Sequence, residues 1–252
     1  MPLTTAQWHA RFLEQSAWTA PLRAFLFNQA KIQKAHKVLE VGCGTGAITQ
    51  SLPKTADLKV FGLDILFDRV NYAHQLNAET RYLCTDALAL PLPPAVFDIT
   101  FCHFFFLWMN DQVEIAIDEM IRVTRPGGFI LALAEPDYVG RVDFPQELIA
   151  LGKLQTQSLV DQGAIPNMGR QLPGLFSQAG LRDIQFGQSG FQNTVGKLPT
   201  WLDSEWETLY SDLQLKMSEK QFLRLKEIDR QAWINGSRVL YIPTFYALGT
   251  VP

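Results

Sequence analysis

The chain has 252 residues, a formal net charge of −3 and 47% hydrophobic against 19% charged residues. At roughly 100–200 residues per domain, this length suits one large domain with elaborations, and the composition excludes a disordered chain. A pI of about 5.8 excludes the broad basic footprint of a non-specific nucleic-acid binder.

The opening Met1-Pro-Leu-Thr-Thr lacks the basic stretch and apolar run of a secretory leader. The longest apolar block, Phe101 to Met109, is broken by His103 and too short to span a bilayer. Cys43, Cys84 and Cys102 are an odd count at spacings that fit no zinc pattern. They read as small core hydrophobes in a reducing compartment, and the expectation is a cytoplasmic protein without a membrane span or a metal.

Residues 1–35 read as helix and carry Arg11, Trp18 and Arg23. Lys37–Val41 reads as a β-strand that runs into a glycine cluster, with a helix starting over Ala47–Leu52. Strands follow at Leu58–Asp64, Arg81–Cys84 and Phe97–Cys102, with a helix over Ile65–Gln75 between the first two. Val113, Ala116, Ile117, Met120 and Ile121 share one helical face. Pro126-Gly-Gly128 stops that helix, and the apolar run Phe129–Ala134 reads as a strand buried on both faces. A helix is expected over 144–162, and strands over Leu181–Phe191 and Thr244–Thr250. Ser218-Glu-Lys-Gln221 has the form of a capping box, and that helix ends at Asn235-Gly236. Strands alternating with helices imply a mostly parallel sheet.

Val38-Leu-Glu-Val-Gly-Cys-Gly-Thr-Gly46 packs three glycines into five residues after an apolar strand. Glycine permits positive φ and lets a ligand lie against bare backbone. A helix N-terminus beyond it would add oriented N–H groups. Gly42-x-Gly44-x-x-Ala47 also fits the dinucleotide fingerprint, and both readings expect the acid that ends the second strand, Asp64. Glu40, Gly46, Asp86 after the third strand, Asp98 opening the fourth and Arg125-Pro-Gly-Gly128 before the fifth separate the two.

In this combination the sequence resembles the class I S-adenosylmethionine-dependent methyltransferases, in the small-molecule group similar to those of ubiquinone and menaquinone biosynthesis. The resemblance is strong over 37–136 and looser over 173–250. It implies an α/β, Rossmann-like, seven-stranded and mostly parallel sheet with helices on both faces. An N-terminal helical cover (1–35), a cofactor core (36–194), a helical insertion (195–240) and a last strand (241–252) would form a single domain. It further implies that Gly42 and Gly44 lie beneath the methionine part of S-adenosyl-L-methionine, with Gly46 also in the cofactor-binding loop, and that Glu40 helps place its ammonium. Asp64 would take the ribose hydroxyls and Ile65 would pack on the adenine. Asp86 and the Ala87 N–H would meet its edge, with His103 close to the methionine end.

A sulfonium methyl needs little activation, so the enzyme mainly holds the nucleophile in line. A base is needed only where the acceptor keeps a proton near neutral pH. His103 and Tyr138, which follow the fourth and fifth strands, are the candidate catalytic side chains. Glu135 beside Tyr138 would either bind a polar acceptor or merely end its strand. The fourth strand runs Asp98-Ile-Thr-Phe-Cys-His103, without the Pro-Pro-Tyr/Phe run of enzymes that methylate exocyclic base amines. Phe104-Phe-Phe-Leu-Trp108 would give an apolar wall, so the expected partner is a small, partly apolar methyl acceptor and not nucleic acid. S-adenosyl-L-homocysteine would be the product. The rivals are a non-catalytic S-adenosylmethionine-binding protein and a nicotinamide-dependent oxidoreductase; the acceptor's identity and the oligomeric state stay open.

Overall fold

The computed structural model describes residues 3–53, 56–190 and 195–252. The chain begins with α1 (Thr5–Gln29), whose Thr4 forms a capping box with Gln7. Then come β1 (Lys37–Val41), β2 (Lys59–Asp64), α2 (Phe67–Leu76), β3 (Arg81–Cys84) and β4 (Phe97–Cys102). They are followed by α3 (Val113–Val123), β5 (Thr124–Pro136), β6 (Val142–Phe144), α4 (Ile149–Asp161) and α5 (Leu172–Gln178). The last elements are β7 (Arg182–Ser189), α6 (Leu202–Leu213), α7 (Glu219–Ile234), β8 (Val239–Tyr241) and β9 (Thr244–Thr250).

Seven strands form one sheet in the order β3-β2-β1-β4-β5-β9-β7. β9 runs antiparallel to both neighbours and the other recorded pairings are parallel, which is the mostly parallel Rossmann-like sheet expected. Period-two alternation assigns side chains to the two faces. Val38, Ile99, Phe101, Leu131, Leu133 and Leu248 pack beneath Leu26 and Phe27 of α1. Leu39, Val41, Ile130, Ala132 and Ala247 pack against Ala116, Ile117 and Met120 of α3 and Phe176 of α5. Glu40 shares the face of Val38, so a carboxylate points into the side that α1 covers.

Strand order reverses between β1 and β4, where open α/β sheets bind ligands at the carboxyl ends of the strands. Asp98 sits at the opposite end, where it accepts from the His36 and Lys37 N–H groups and from Arg125 Nε. It ties the entries of β1, β4 and β5 together and lies away from the site. A third cluster, with Leu148, Leu151, Trp201, Trp206, Phe222 and Trp233, packs α4, α6 and α7 into the late helical elaboration.

Several local expectations change. No α-helix follows the glycine loop: Thr49–Ser51 is one 3-10 turn, cut short by Pro53. The Pro126-Gly-Gly128 segment lies within β5, whose pairing with β4 shifts register there. The helix expected from 144 starts at Ile149, because Val142–Phe144 pairs with β8 in a small two-stranded sheet. The strand expected to reach Phe191 ends at Ser189, and Phe191, like the expected core boundary at 194, lies outside the described residues. Cys43 and Cys102 are buried, but Cys84 is exposed because it ends the edge strand β3. Among the described residues no helix is long and apolar enough to cross a membrane, and no cluster of metal-ligating side chains occurs.

Candidate functional site

The glycine loop leaves β1 with Gly42, Gly44 and Gly46 at φ values of 72°, 52° and 78°. These are left-handed conformations that side chains rarely adopt. Asp64, at the end of neighbouring β2, fastens the loop: its Oδ2 accepts from the Gly44 N–H at 2.9 Å and its Oδ1 from the Leu66 N–H at 2.9 Å. Each oxygen keeps a second lone pair for a further donor.

Aromatic rings lie against the loop. A Cβ at Gly42 would stand 3.0 Å from Cγ of Phe105, and one at Gly44 3.1 Å from Cε2 of Phe12. Both rings rest on bare backbone that only glycine provides. Glu40 is buried beside the loop, and its Oε2 has no hydrogen-bond partner. Burial pushes its carboxyl well above the usual range, against the pull of the Arg23 guanidinium. An acidic atom left unpartnered beside a glycine cradle fits a cationic group, and a carboxylate-bearing strand end fits a diol.

Asp86 is exposed after β3 and its Oδ1 accepts from the Leu88 N–H at 2.9 Å, with buried Ala87 between them. Ile65 is 63% exposed, and Leu66 and Phe67 extend the same apolar surface. The loop, Asp64 and Ile65 thus sit together, with Asp86 following the adjacent strand β3.

His103 follows β4 and is buried beneath α1, with Nε2 2.8 Å from Thr19 Oγ1. Arg23 donates to the same hydroxyl at 2.6 Å. Desolvation, and then the nearby Arg23 charge, bring the His103 pKa down to about 3, so the imidazole is neutral. Tyr138 is half-buried at the cleft, and desolvation pushes its phenol up to about 12, so it stays protonated. Glu135 takes the structural one of its two expected roles. Its carboxylate accepts from the Phe105, Phe106 and Leu107 N–H groups at 2.8, 2.9 and 3.2 Å and so shapes the segment after β4. Burial nevertheless raises it to about 7.

A cleft of about 80 Å³ opens on the same rim, beneath α1. That is room for several waters at ~10–15 Å³ each. Trp18, Thr19, Phe104, Tyr138, Trp201 and Glu205 are among the residues around it. Phe104 has φ 50°, a strained value for a bulky residue and a mark of functional sites. Gln15, Thr19, Trp201 and Glu205 were not legible as site residues. Thr19 and Gln15 lie on a helix expected only to cover. The one available signal for Glu205 was an acid on the apolar face formed by Leu202, Trp206, Leu209 and Leu213.

Residues 39–132 match the model of a methyltransferase domain family. The chain is 31% identical over 174 residues to an uncharacterized methyltransferase of Schizosaccharomyces pombe, covering 64% of this chain and 62% of that protein. It is 31% identical over 174 residues to the 2-methyl-6-phytyl-1,4-hydroquinone methyltransferase of Synechocystis, covering 68% and 53% respectively. The chain therefore spans less than two thirds of the length of either relative. In fold it is similar to phosphoethanolamine N-methyltransferase 2 of Haemonchus contortus, solved with S-adenosyl-L-methionine. That likeness has a TM-score of 0.55 at 17% identity, over 86% of this chain and 49% of that one.

Proposed function

From a chain that carries a methyltransferase domain on a Rossmann-like sheet of the class I kind, we propose an enzyme that transfers the methyl group of S-adenosyl-L-methionine to a small, partly apolar molecule, releasing S-adenosyl-L-homocysteine. The observation that carries this reading is the loop Gly42–Gly46, fastened by Asp64, on the same rim as an aromatic cleft. When bound, the cofactor supplies a methyl on a good leaving group, so the acceptor has only to be held in line.

The chain's residues then divide the work. The Gly42, Gly44 and Gly46 backbone supports the methionine part. Glu40 supplies the counter-charge for its ammonium through its unpartnered oxygen. Asp64 offers its remaining lone pairs to the ribose hydroxyls, Ile65 its exposed side chain to the adenine, and Asp86 with Ala87 the edge contacts. His103, neutral and bonded to Thr19, positions the acceptor side and passes a proton only through that hydroxyl. Tyr138, protonated at the cleft wall, donates a hydrogen bond to the acceptor. A cytoplasmic location belongs to the same reading.

Calorimetry is the direct test. S-adenosylhomocysteine should bind at micromolar strength, about −8 kcal/mol, and NAD should not bind. Preferential NAD binding would overturn the reading. Release of S-adenosylhomocysteine over a panel of neutral and charged acceptors separates an enzyme from a cofactor-binding protein without turnover.

A further inference from the structure

Glu135 stands between the two halves of the site, and the proposed methyl transfer gives it no task. It is fully buried near the end of β5, and Pro136, which follows it, lines the cleft. Three successive backbone N–H groups, those of Phe105, Phe106 and Leu107, converge on its carboxylate. Oε1 takes the first two, at 2.8 and 2.9 Å, and Oε2 the third, at 3.2 Å. The rings at this turn go to different places. Phe105 packs on Gly42 of the glycine loop, whereas Phe104 stands in the wall of the cleft. Phe106 and Leu107 are buried in the core and anchor the far end of the turn. Phe104 spans two anchors on β5. Its own N–H bonds the Ala134 carbonyl at 2.9 Å, and the next N–H bonds Glu135. Its φ of 50° joins the two, a conformation that a bulky side chain adopts only under strain.

We propose that Glu135 is a positioning residue for both sites at once: it makes the turn 104–107 one unit, so that a cofactor lifting Phe105 off Gly42 also draws Phe104 out of the cleft. Hydrogen bonds to a carboxylate are among the stronger ones, and three from one group hold three residues in fixed relation. A ligand that lies on the loop meets Phe105 first, because a Cβ at Gly42 already stands 3.0 Å from Cγ of that ring. With the three N–H groups tied together, displacement of Phe105 passes along the backbone to Phe104. The strained φ there is the joint that gives, and its release swings the Phe104 ring. The direction follows from size. The cleft holds about 80 Å³, roughly half of a ~150 Å³ cavity that takes one benzene. An acceptor of ring size therefore needs the wall to retreat. Cofactor binding enlarges the cleft, and the coupling is reciprocal, so an acceptor in the cleft also tightens the cofactor.

The inference rests on the loop being the cofactor site of the proposed methyltransferase, and its test reads cofactor binding separately. 4-Fluorophenylalanine in place of Phe104 reports that ring by fluorine NMR. S-adenosylhomocysteine is titrated into the labelled full chain and into labelled Glu135→Gln and Glu135→Ala, with calorimetry on the same samples. In the chain that keeps Glu135, saturation should move the resonance to a new position. Glu135→Gln retains an oxygen for the Phe105 and Phe106 N–H groups and loses the Leu107 acceptor, so the shift should shrink. Glu135→Ala frees all three, and the resonance should stay near its ligand-free position while S-adenosylhomocysteine still binds. A Glu135 that only braces the fold would lower the melting temperature and leave the shift intact. A resonance unmoved at saturation in the chain that keeps Glu135 overturns the proposal, as does an undiminished shift in folded Glu135→Ala. Should that variant fail to fold, an undiminished shift in Glu135→Gln counts against it. Amide hydrogen exchange on the unmodified chain gives a second reading: saturation should change the rates of Phe105, Phe106 and Leu107 together, and a change confined to Phe105 overturns the coupling. Failure of S-adenosylhomocysteine to bind at all sinks the methyl-transfer reading, whereas binding without the shift sinks only the role of Glu135.

Discussion

Phe105 packs directly on Gly42: a Cβ on that glycine would stand 3.0 Å from the ring's Cγ and closer still to Cδ2. Phe12 does the same to Gly44 from α1. A ligand that rests on the loop backbone must therefore displace both rings and loosen the start of α1. Among the side-chain contacts that hold α1 down are His9 to Thr45 at 2.8 Å, Thr19 to His103 at 2.8 Å, Arg23 to Ser51 at 3.4 Å and the Arg11–Glu205 ion pair.

This arrangement predicts gated entry. Removing the Phe105 ring takes away packing worth roughly 1.5–3 kcal/mol, part of which must be given up on opening. Phe105→Ala should raise the association rate of S-adenosylhomocysteine by about tenfold, read by stopped-flow tryptophan fluorescence. An unchanged rate would show that the ring does not stand in the way.

Asp64 joins the loop to β2 through two backbone N–H bonds, so its removal has two consequences. Asp64→Ala should weaken S-adenosylhomocysteine by about 1.5–3 kcal/mol, the scale of hydrogen bonds to a charged group. It should also lower the melting temperature, because the Gly44 and Leu66 N–H groups lose their acceptor. Asp64→Asn keeps an acceptor for one of the two N–H groups and should recover part of the melting temperature. A dissociation constant unmoved in both variants would place the ribose elsewhere.

His103 and Glu135 make opposite demands on pH. The folded pKa of His103 is depressed to about 3 from an ordinary 6.5, so its contribution is present above 6.5 and is lost as pH falls toward 3. The folded pKa of Glu135 is raised to about 7 from 4.5, so its contribution is present below 4.5 and is lost as pH rises through 7. Between about 4.5 and 6.5 the folded chain gives up the histidine proton and keeps the glutamic acid proton, while the unfolded chain does the reverse. The two slopes cancel. Glu40, also raised by burial, adds its own slope to the unmodified chain, so the comparison is made against that chain. Relative to it, stability measured by urea unfolding should gain with rising pH in Glu135→Gln and lose in His103→Asn, each by about 2–3 kcal/mol over the window. Parallel profiles for the two variants would refute the assignment.

These sites differ in how much of them the sequence disclosed. The strands β1, β2, β4 and β9 were legible as short β-rich apolar runs, and the helix α3 because its apolar residues recur at helical spacing. The loop was legible because left-handed backbone at Gly42, Gly44 and Gly46 needs glycine. The Ala47–Leu52 helix was misread because local propensity says nothing of the Thr49–Tyr82 contact at 2.9 Å, which pins the turn to β3. The cleft was not legible. Arg11 and Glu205 are 194 residues apart and become neighbours only when α1 and α6 close over the sheet. His103 was legible as a position but not as a state: its neutrality comes from burial and then from Arg23, a residue of α1.

The acceptor side gives the last prediction. Tyr138 follows β5, lines the cleft and holds its proton up to about pH 12. A phenol that does not ionise near neutrality is a poor base and a good donor. Tyr138→Phe removes only the hydroxyl and should weaken acceptor binding, raising KM by about five- to twentyfold, since one hydrogen bond is worth ~1–2 kcal/mol. Turnover at saturation should change less than threefold. His103→Ala should behave differently. It leaves Thr19 without its imidazole partner and should lower turnover by about tenfold, short of the 10²–10⁴ expected for loss of a true general base. Steady-state release of S-adenosylhomocysteine, followed for both variants from pH 6 to 9, decides between the roles. A turnover loss above a hundredfold in His103→Ala, with a pH limb near 6.5 in the unmodified protein that disappears in the variant, would make the histidine the base. It would also mean that α1 lifts Arg23 away before the proton moves.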